Sequence, residues 1–214
     1  MRLSVVGLGP GDPELLTLKA IKRMDESKVI FVPYSSGTGR SLAMEVIKDH
    51  AKGRIVQLGF PMGDHIDDED LKRIGEKMCL EAEDPSSFVT LGDPVLYSTY
   101  FRVKDFLPCF DQIELIPGVS SVTACACKAF LNLGSEKEAI AIIPSLRRDL
   151  LELAKGKFET IIVLKGSKGL EEASEILNGY QLIYARRCFM DGELISKWSG
   201  KSDHDYFSML IARR

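Results

Sequence analysis

Apolar residues fall along this chain in short continuous runs that alternate with stretches where they recur every three or four positions, and the two periods predict strands and helices in turn. Residues 2–6 read as a strand, closed by Gly7, Gly9, Pro10 and Gly11. Residues 13–24 read as a helix, with Asp12 as N-cap and Pro13 at the first helical position, where its missing N–H costs nothing. A strand at 29–32, a helix at 41–49 turning Leu42, Met44, Val46 and Ile47 inward, and a strand at 54–58 follow. The stretch 68–81 is charged on one side and buries Leu71, Ile74 and Met78 on the other, the signature of an amphipathic helix. A strand at 87–91 runs into Gly92-Asp93-Pro94, a helix is predicted over 96–106, and a strand at 113–116 ends at Pro117-Gly118. Such alternation predicts an α/β unit around a mostly parallel sheet with helices packed on it.

The pattern changes after residue 116, where the domain boundary is expected, giving domains at 1–116 and 117–214. The second half opens with a helix over 119–130, continues with strands at 139–143 and 160–164, a helix at 168–177 and a strand at 181–186, and closes with a hairpin-like segment at 192–198 and a β-prone run at 205–212. This order predicts an α+β domain with a mixed sheet.

Composition narrows the function classes. With 214 residues, 45% of them apolar, the chain has the material for a real core. A formal net charge of −3 argues against a general nucleic-acid binder, which would be basic. It leaves room for a local basic pocket around an acidic small molecule. No run approaches the ~20 apolar residues of a membrane helix, and the first apolar run is cut off by Gly7 too early for a secretory signal. The five cysteines are scattered with no Cys-x-x-Cys pair, and are expected to be reduced, buried thiols of a cytoplasmic protein. His50, His65 and His204 lie far apart, without zinc-like spacing, so no metal site is expected.

Candidate chemistry sits in three turns, each following a predicted strand and opening a helix. The first, Val6-Gly7-Leu8-Gly9-Pro10-Gly11-Asp12-Pro13, is glycine-rich, so its backbone can approach a ligand closely. Its spacing is neither the dinucleotide fingerprint nor a P-loop. A tight strand-to-helix turn explains the glycines equally well. In the second, Gly92 again permits close approach and Asp93 can accept hydrogen bonds from a ribose or an amino group, or can simply cap the helix ahead of Pro94. The third, Ile116-Pro117-Gly118-Val119-Ser120-Ser121, offers two hydroxyls where capping is the ordinary role.

Taken together in order and spacing, the three turns resemble the tetrapyrrole (corrin/porphyrin) methylase family. The resemblance extends from Leu15-Leu16-Thr17-Leu18-Lys19-Ala20 to the closing Tyr206-Phe207-Ser208-Met209-Leu210-Ile211. Within that family, Gly92-Asp93-Pro94-Val95-Leu96-Tyr97-Ser98-Thr99 looks like the methyltransferases that act on carbon 20 of precorrin-2 or of cobalt-factor II. The carbon-11 enzyme tends to show Tyr-Gly at the place of Tyr97-Ser98, and the uroporphyrinogen methylases Phe-Gly.

The resemblance implies a two-domain α/β fold with S-adenosylmethionine in the cleft between the domains, S-adenosylhomocysteine as product, and a homodimer. By position it implies cofactor contacts at Pro10, Leu91, Gly92, Asp93, Leu96, Ser120 and Ser121. The family often has a Met after the strand that here ends at Leu164, where Lys165 or its neighbour stands, and a Glu-Arg-type pair where this chain reads Tyr184-Ala185-Arg186-Arg187-Cys188. Backbone contacts near Ala185 and Cys188 need no particular side chain and survive those departures.

Methyl transfer from a sulfonium needs an acceptor carbon held about 3 Å from the methyl and in line with it, with water excluded. A base is needed only if the reduced macrocycle must lose a proton, and Asp93 and Tyr97 are the candidates. The carboxylates on a tetrapyrrole edge call for cations, with Arg40, Arg102 and Arg186 foremost and Lys104 and Arg147 behind them. Other readings stay open at this point: methylation at another ring carbon, a diphthamide-forming methylase acting on protein, a nucleotide-binding module, or a non-catalytic paralogue.

Overall fold

Residues 1–35, 41–61 and 67–214 are described by the computed structural model, and they divide into two units, Met1–Ser120 and Ser121–Arg214. The first unit carries five parallel strands, β1 (Arg2–Gly7), β2 (Val29–Ser35), β3 (Arg54–Phe60), β4 (Ser86–Thr90) and β5 (Gln112–Ile116), in the order β3-β2-β4-β1-β5. Strand β4 lies in the middle, and all five of its residues are buried.

Alternate side chains on these strands enter two separate cores. On one face Val6, Leu8, Ile30 and Val32 pack against Ala20 and Met24 of α1 (Leu18–Glu26) and Ala43, Val46 and Ile47 of α2 (Leu42–Ile47). On the other, Leu3, Val5, Val29, Phe31 and Phe88 meet Leu71, Ile74 and Met78 of α3 (Asp68–Glu81) and Tyr100 and Val103 of α4 (Tyr100–Val103). Burial on both faces is why β1 and β2 read as near-continuous apolar runs. Connections that step toward β3 carry α1 and α2, and those that step toward β5 carry α3 and α4. Right-handed crossovers place helices on opposite faces whenever the stepping direction reverses.

In the second unit, β6 (Ile140–Pro144), β7 (Thr160–Leu164), β8 (Gln181–Arg186), β9 (Leu194–Lys197) and β10 (Ser208–Arg213) form a mixed sheet in the order β6-β7-β10-β8-β9, with only β6 and β7 parallel. Its core joins Ile143, Ile161, Val163, Tyr184, Leu210 and Ala212 to Leu151 and Ala154 of α6 (Arg148–Ala154) and to Leu170 and Ala173 of α7 (Leu170–Ile176). Helix α5 (Ser121–Lys128) buries Val122, Ala124, Cys125 and Ala126.

Two local expectations are corrected and one helix is added. The helix expected over 13–24 is broken: Pro13–Leu15 forms a single 3-10 turn capped by Asp12, and α1 starts afresh because Thr17 accepts the Ala20 N–H. The helix expected over 96–106 shrinks to α4 and a 3-10 turn at Lys104–Phe106, since Tyr97 has φ 56°, incompatible with a right-handed helix. Helix α6 has no counterpart in the sequence reading. The expectation of five reduced cysteines is also overturned: Cys79 pairs with Cys109 and Cys125 with Cys188, at Cα separations of 5.6 and 5.4 Å that suit a bridge, leaving Cys127 free and exposed.

Candidate active site

The three turns meet within the first unit because β1, β4 and β5 are neighbours and parallel, so their C-terminal ends emerge side by side. Leu8 N–H donates to the Thr90 carbonyl at 2.8 Å, and Gly9 and Gly92 exchange both backbone hydrogen bonds, at 3.2 and 2.7 Å. The third turn closes on the other two through Gly118. A methyl group placed on Gly7 would lie 2.6 Å from Gly118 N and 2.8 Å from the Gly92 carbonyl oxygen. Glycine at both 7 and 118 permits this approach, since a methyl group on Gly118 would lie 2.3 Å from the same Gly92 oxygen. Gly92, by contrast, has φ 69° and, among the described residues, nothing within 4 Å of where a side chain would be. The junction is thus tightly closed beneath Gly92 and open above it, a cradle in which a ligand can lie against bare backbone. Crevices at the C-terminal ends of parallel strands are where α/β sheets bind ligands.

Asp93 clamps this junction. One carboxylate oxygen accepts the Val95 N–H at 2.9 Å, and the other accepts the Gly118 N–H at 3.1 Å. The helix cap expected of it is not formed, because residues 94–97 make a turn and α4 starts only at Tyr100; Asp93 instead closes that turn and braces the second turn against the third. Beyond it, Val95 and Tyr97 are exposed, Tyr97 on its left-handed backbone. A non-glycine residue held there marks a position the surroundings fix. Ser98 is buried; its hydroxyl donates to Thr90 Oγ1 at 3.4 Å and accepts the Tyr100 N–H at 3.1 Å, tying the end of β4 to α4. Pro10 is buried beside the bridge, while Leu91, Leu96 and Ser120 are half-buried around it.

Within the second unit, Ser121 begins α5 and is half-buried, Ala185 is buried in β8, and Cys188 follows β8 in its disulfide. Lys165 after β7 and Arg187 and Phe189 after β8 all have positive φ, 64°, 48° and 62°. Tyr184 is buried and donates to Asp203, and desolvation, reinforced by that carboxylate, pushes its phenol above the usual range. Burial works against the charge on Asp203, but hydrogen bonds from Tyr184, the Asp205 N–H and Arg186 outweigh it and hold the carboxyl below its ordinary value.

A model of the family described as "Tetrapyrrole (Corrin/Porphyrin) Methylases" matches residues 2–199. The chain belongs to the tetrapyrrole methylases. A protein of Methanocaldococcus jannaschii named "Probable cobalt-precorrin-2 C(20)-methyltransferase" is 34% identical, over 98% of this chain and 94% of its own length. The cobalt-precorrin-2 C(20)-methyltransferase of Salmonella typhimurium is 26% identical, over 83% of each chain. Among solved structures, the uroporphyrin III C-methyl transferase of Thermus thermophilus superposes with a TM-score of 0.75 at 24% identity, covering 100% of this chain and 97% of that one.

The cations expected to meet a tetrapyrrole's carboxylates fare unequally in this methylase. Arg40 lies outside the described residues, as does His65. Arg186 donates twice to the Gly192 carbonyl and pairs with Asp203, Arg147 is clasped by Asp149, and Lys104 pairs with Asp105. Arg102 is exposed on α4. Neither the pairing of Gly7 with Gly118 nor that of Ser98 with Thr90 is visible along the sequence. The glycine spacing was visible, but its steric reason appears only once the partner backbones are known.

Proposed function

We propose that this methylase transfers the methyl group of S-adenosylmethionine to carbon 20 of precorrin-2 or of its cobalt-bearing counterpart, releasing S-adenosylhomocysteine, during construction of the corrin ring of cobalamin. The observation that carries the reading is the junction of Gly7, Gly92 and Gly118, which leaves bare backbone facing open space at the strand ends of a chain from this family. The ring position is supported by Tyr97-Ser98-Thr99 and by the relatives named for C(20) methylation.

The cofactor supplies the electrophilic methyl group. The residues fit it: the open space above Gly92 would be filled by any side chain there, and the neighbouring Asp93 carboxylate holds the turns around it. In the first unit Pro10, Leu91, Gly92, Leu96 and Ser120 are proposed to hold it, with Asp93 fixing the turns they sit on; in the second unit Ser121, Ala185 and Cys188 are proposed to do so. Tyr97 is the group proposed to take a proton from the reduced macrocycle, and Arg102, with Arg40 and Arg186, to receive its carboxylates.

Calorimetric titration with S-adenosylhomocysteine, and incubation of the full chain with S-adenosylmethionine and precorrin-2 or cobalt-precorrin-2, test this reading. It requires a product one methyl heavier, with NMR placing the methyl on carbon 20. Methylation elsewhere on the ring would reassign the chain within its family, and absence of any affinity for the nucleoside would end the proposal. A homodimer and a cytoplasmic setting belong to the same proposal. Light scattering tests the first and cell fractionation the second.

A further inference from the structure

Helix α5, eight residues long, is attached to the turn after β8 by a disulfide, an ion pair and a cation–ring contact. Cys125 and Cys188 are joined covalently and buried, at 2% and 4% exposure. One turn further along the helix, Lys128 pairs with Glu193 at 3.0 Å and lies 4.3 Å from the centre of the Phe189 ring. Glu193 in turn accepts the Phe189 N–H at 2.7 Å, and Arg187 N–H donates to the Phe207 carbonyl at 2.9 Å. The residues on either side of Cys188, Arg187 and Phe189, are both left-handed. Non-glycine residues stay in that region only where their surroundings enforce it, and here the disulfide is the strongest tie available to do so.

We propose that the Cys125–Cys188 disulfide is a positioning device for the nucleoside site, fixing the turn that follows Ala185 against the helix that starts at Ser121, so that opening it lowers affinity for S-adenosyl nucleosides. This rests on the functional reading above, in which Ser121, Ala185 and Cys188 touch the cofactor. The second disulfide supplies an internal control. Cys79 is near the end of α3 and Cys109 precedes β5, so that pair sits at the N-terminal ends of the strands, whereas the glycine junction is at their C-terminal ends. The two bridges therefore separate a local effect on the site from a general effect on stability.

Opening the bridge takes two electrons from a dithiol such as dithiothreitol: the S–S bond breaks, Cys125 and Cys188 each end as a protonated thiol, and the reagent closes to its own disulfide. With it open, Lys128 still ties the turn to α5, through Glu193 and Phe189.

The test uses the full chain carrying Cys127→Ser, which removes the exposed thiol that would scramble the pairs. Peptide mass spectrometry without reduction checks both bridges. Titration with S-adenosylhomocysteine is then made on this chain and on versions with Cys125→Ala, Cys188→Ala or Cys79→Ala, at a temperature where circular dichroism shows each folded. The expected result is a dissociation constant raised tenfold or more by Cys125→Ala and by Cys188→Ala, and changed less than twofold by Cys79→Ala, although Cys79→Ala lowers the melting temperature. Should the alanine variants not fold, reversible reduction in a Cys79→Ala, Cys109→Ala, Cys127→Ser background opens the same bridge and must give the same tenfold loss, restored on reoxidation. Equal affinity with the bridge open and closed, an equal loss from Cys79→Ala, or free thiols at Cys125 and Cys188 in the purified protein would each overturn the inference. If the bridged chain itself binds no nucleoside, the functional reading falls and this inference with it; binding that ignores the bridge sinks this inference alone.

Discussion

Gly7→Ala is the sharpest perturbation the junction offers, because it adds one methyl group where no side chain can move aside. The new carbon would sit 2.6 Å from Gly118 N, 2.8 Å from Gly118 Cα and 2.8 Å from the Gly92 oxygen, against 3.4 Å at the near edge of ordinary contact. All three neighbours are backbone, so the third turn must retreat by roughly 0.8 Å, the shortfall at the closest of them. Overpacking of this kind costs about 1–3 kcal/mol, and with no rotamer available to relieve it the upper end, about 3 kcal/mol, is expected. For a chain of this size that lowers the melting temperature by about 6–12 °C. Retreat of Gly118 also lengthens its hydrogen bond to Asp93, so affinity for S-adenosylhomocysteine should fall with stability. Thermal melts and calorimetry on the purified variant measure both. Gly92→Ala makes the contrast: with none of the described residues within 4 Å, its methyl meets open space and the strain of φ 69°, about 1–2 kcal/mol, yet it intrudes into the cradle. It should cost more affinity than Gly7→Ala for less stability. If Gly7→Ala melts and binds like the parent, the close approach of the three turns does not govern the site.

Asp93→Ala leaves the Gly118 and Val95 N–H groups without their acceptor and should cost about 1–2 kcal/mol, read as a loss of nucleoside affinity; a variant that binds normally but turns over slowly would instead make Asp93 a group acting on the substrate. Glu114 accepts hydrogen bonds from Lys19 and then Arg23 of α1, which hold its carboxyl below the ordinary value. The folded chain therefore binds that proton less readily than the unfolded chain. The stabilisation is complete above the unfolded value of 4.5 and disappears as pH falls through the lowered folded value, so Glu114→Gln should flatten the acid limb of a melting-temperature profile. Removing the Cys79–Cys109 bridge, which closes a segment of 30 residues, should lower stability by about 3–4 kcal/mol by the chain-entropy account, measured by denaturant unfolding. The Michaelis constant for the tetrapyrrole should rise with ionic strength and on Arg102→Ala, as screening weakens an exposed cation's hold on carboxylates; a flat salt response would remove Arg102 from the substrate's path.

What could be read in the sequence was whatever depends on neighbours along the chain. Strand β1 was legible because burial on both faces forces a continuous apolar run, and α3 because Leu71, Ile74 and Met78 recur at helical spacing over 14 residues. Helix α6 was missed because its seven residues bury only Leu151 and Ala154, too few to establish a period. Asp12 is legible as a cap, but the helix it opens ends within a turn, because Thr17 is a second cap that the first one hides. Each candidate turn was visible as a glycine-bearing stretch after a strand, and each had an ordinary explanation. Their convergence was not visible in any of them, since it depends on β4 sitting beside β1 and β1 beside β5, pairings across about a hundred residues. The cysteines failed for the same reason: partners 30 and 63 positions apart leave no spacing signature, so a scattered set was read as free. The left-handed backbones at Tyr97, Arg187 and Phe189 leave no mark at all, because those residues have no preference for that conformation and are held in it from outside. Non-local restraint is thus the quantity hidden from the sequence here: Asp93 and the close-packed glycines in the first unit, and the Cys125–Cys188 bridge in the second, join segments that local preference would leave apart.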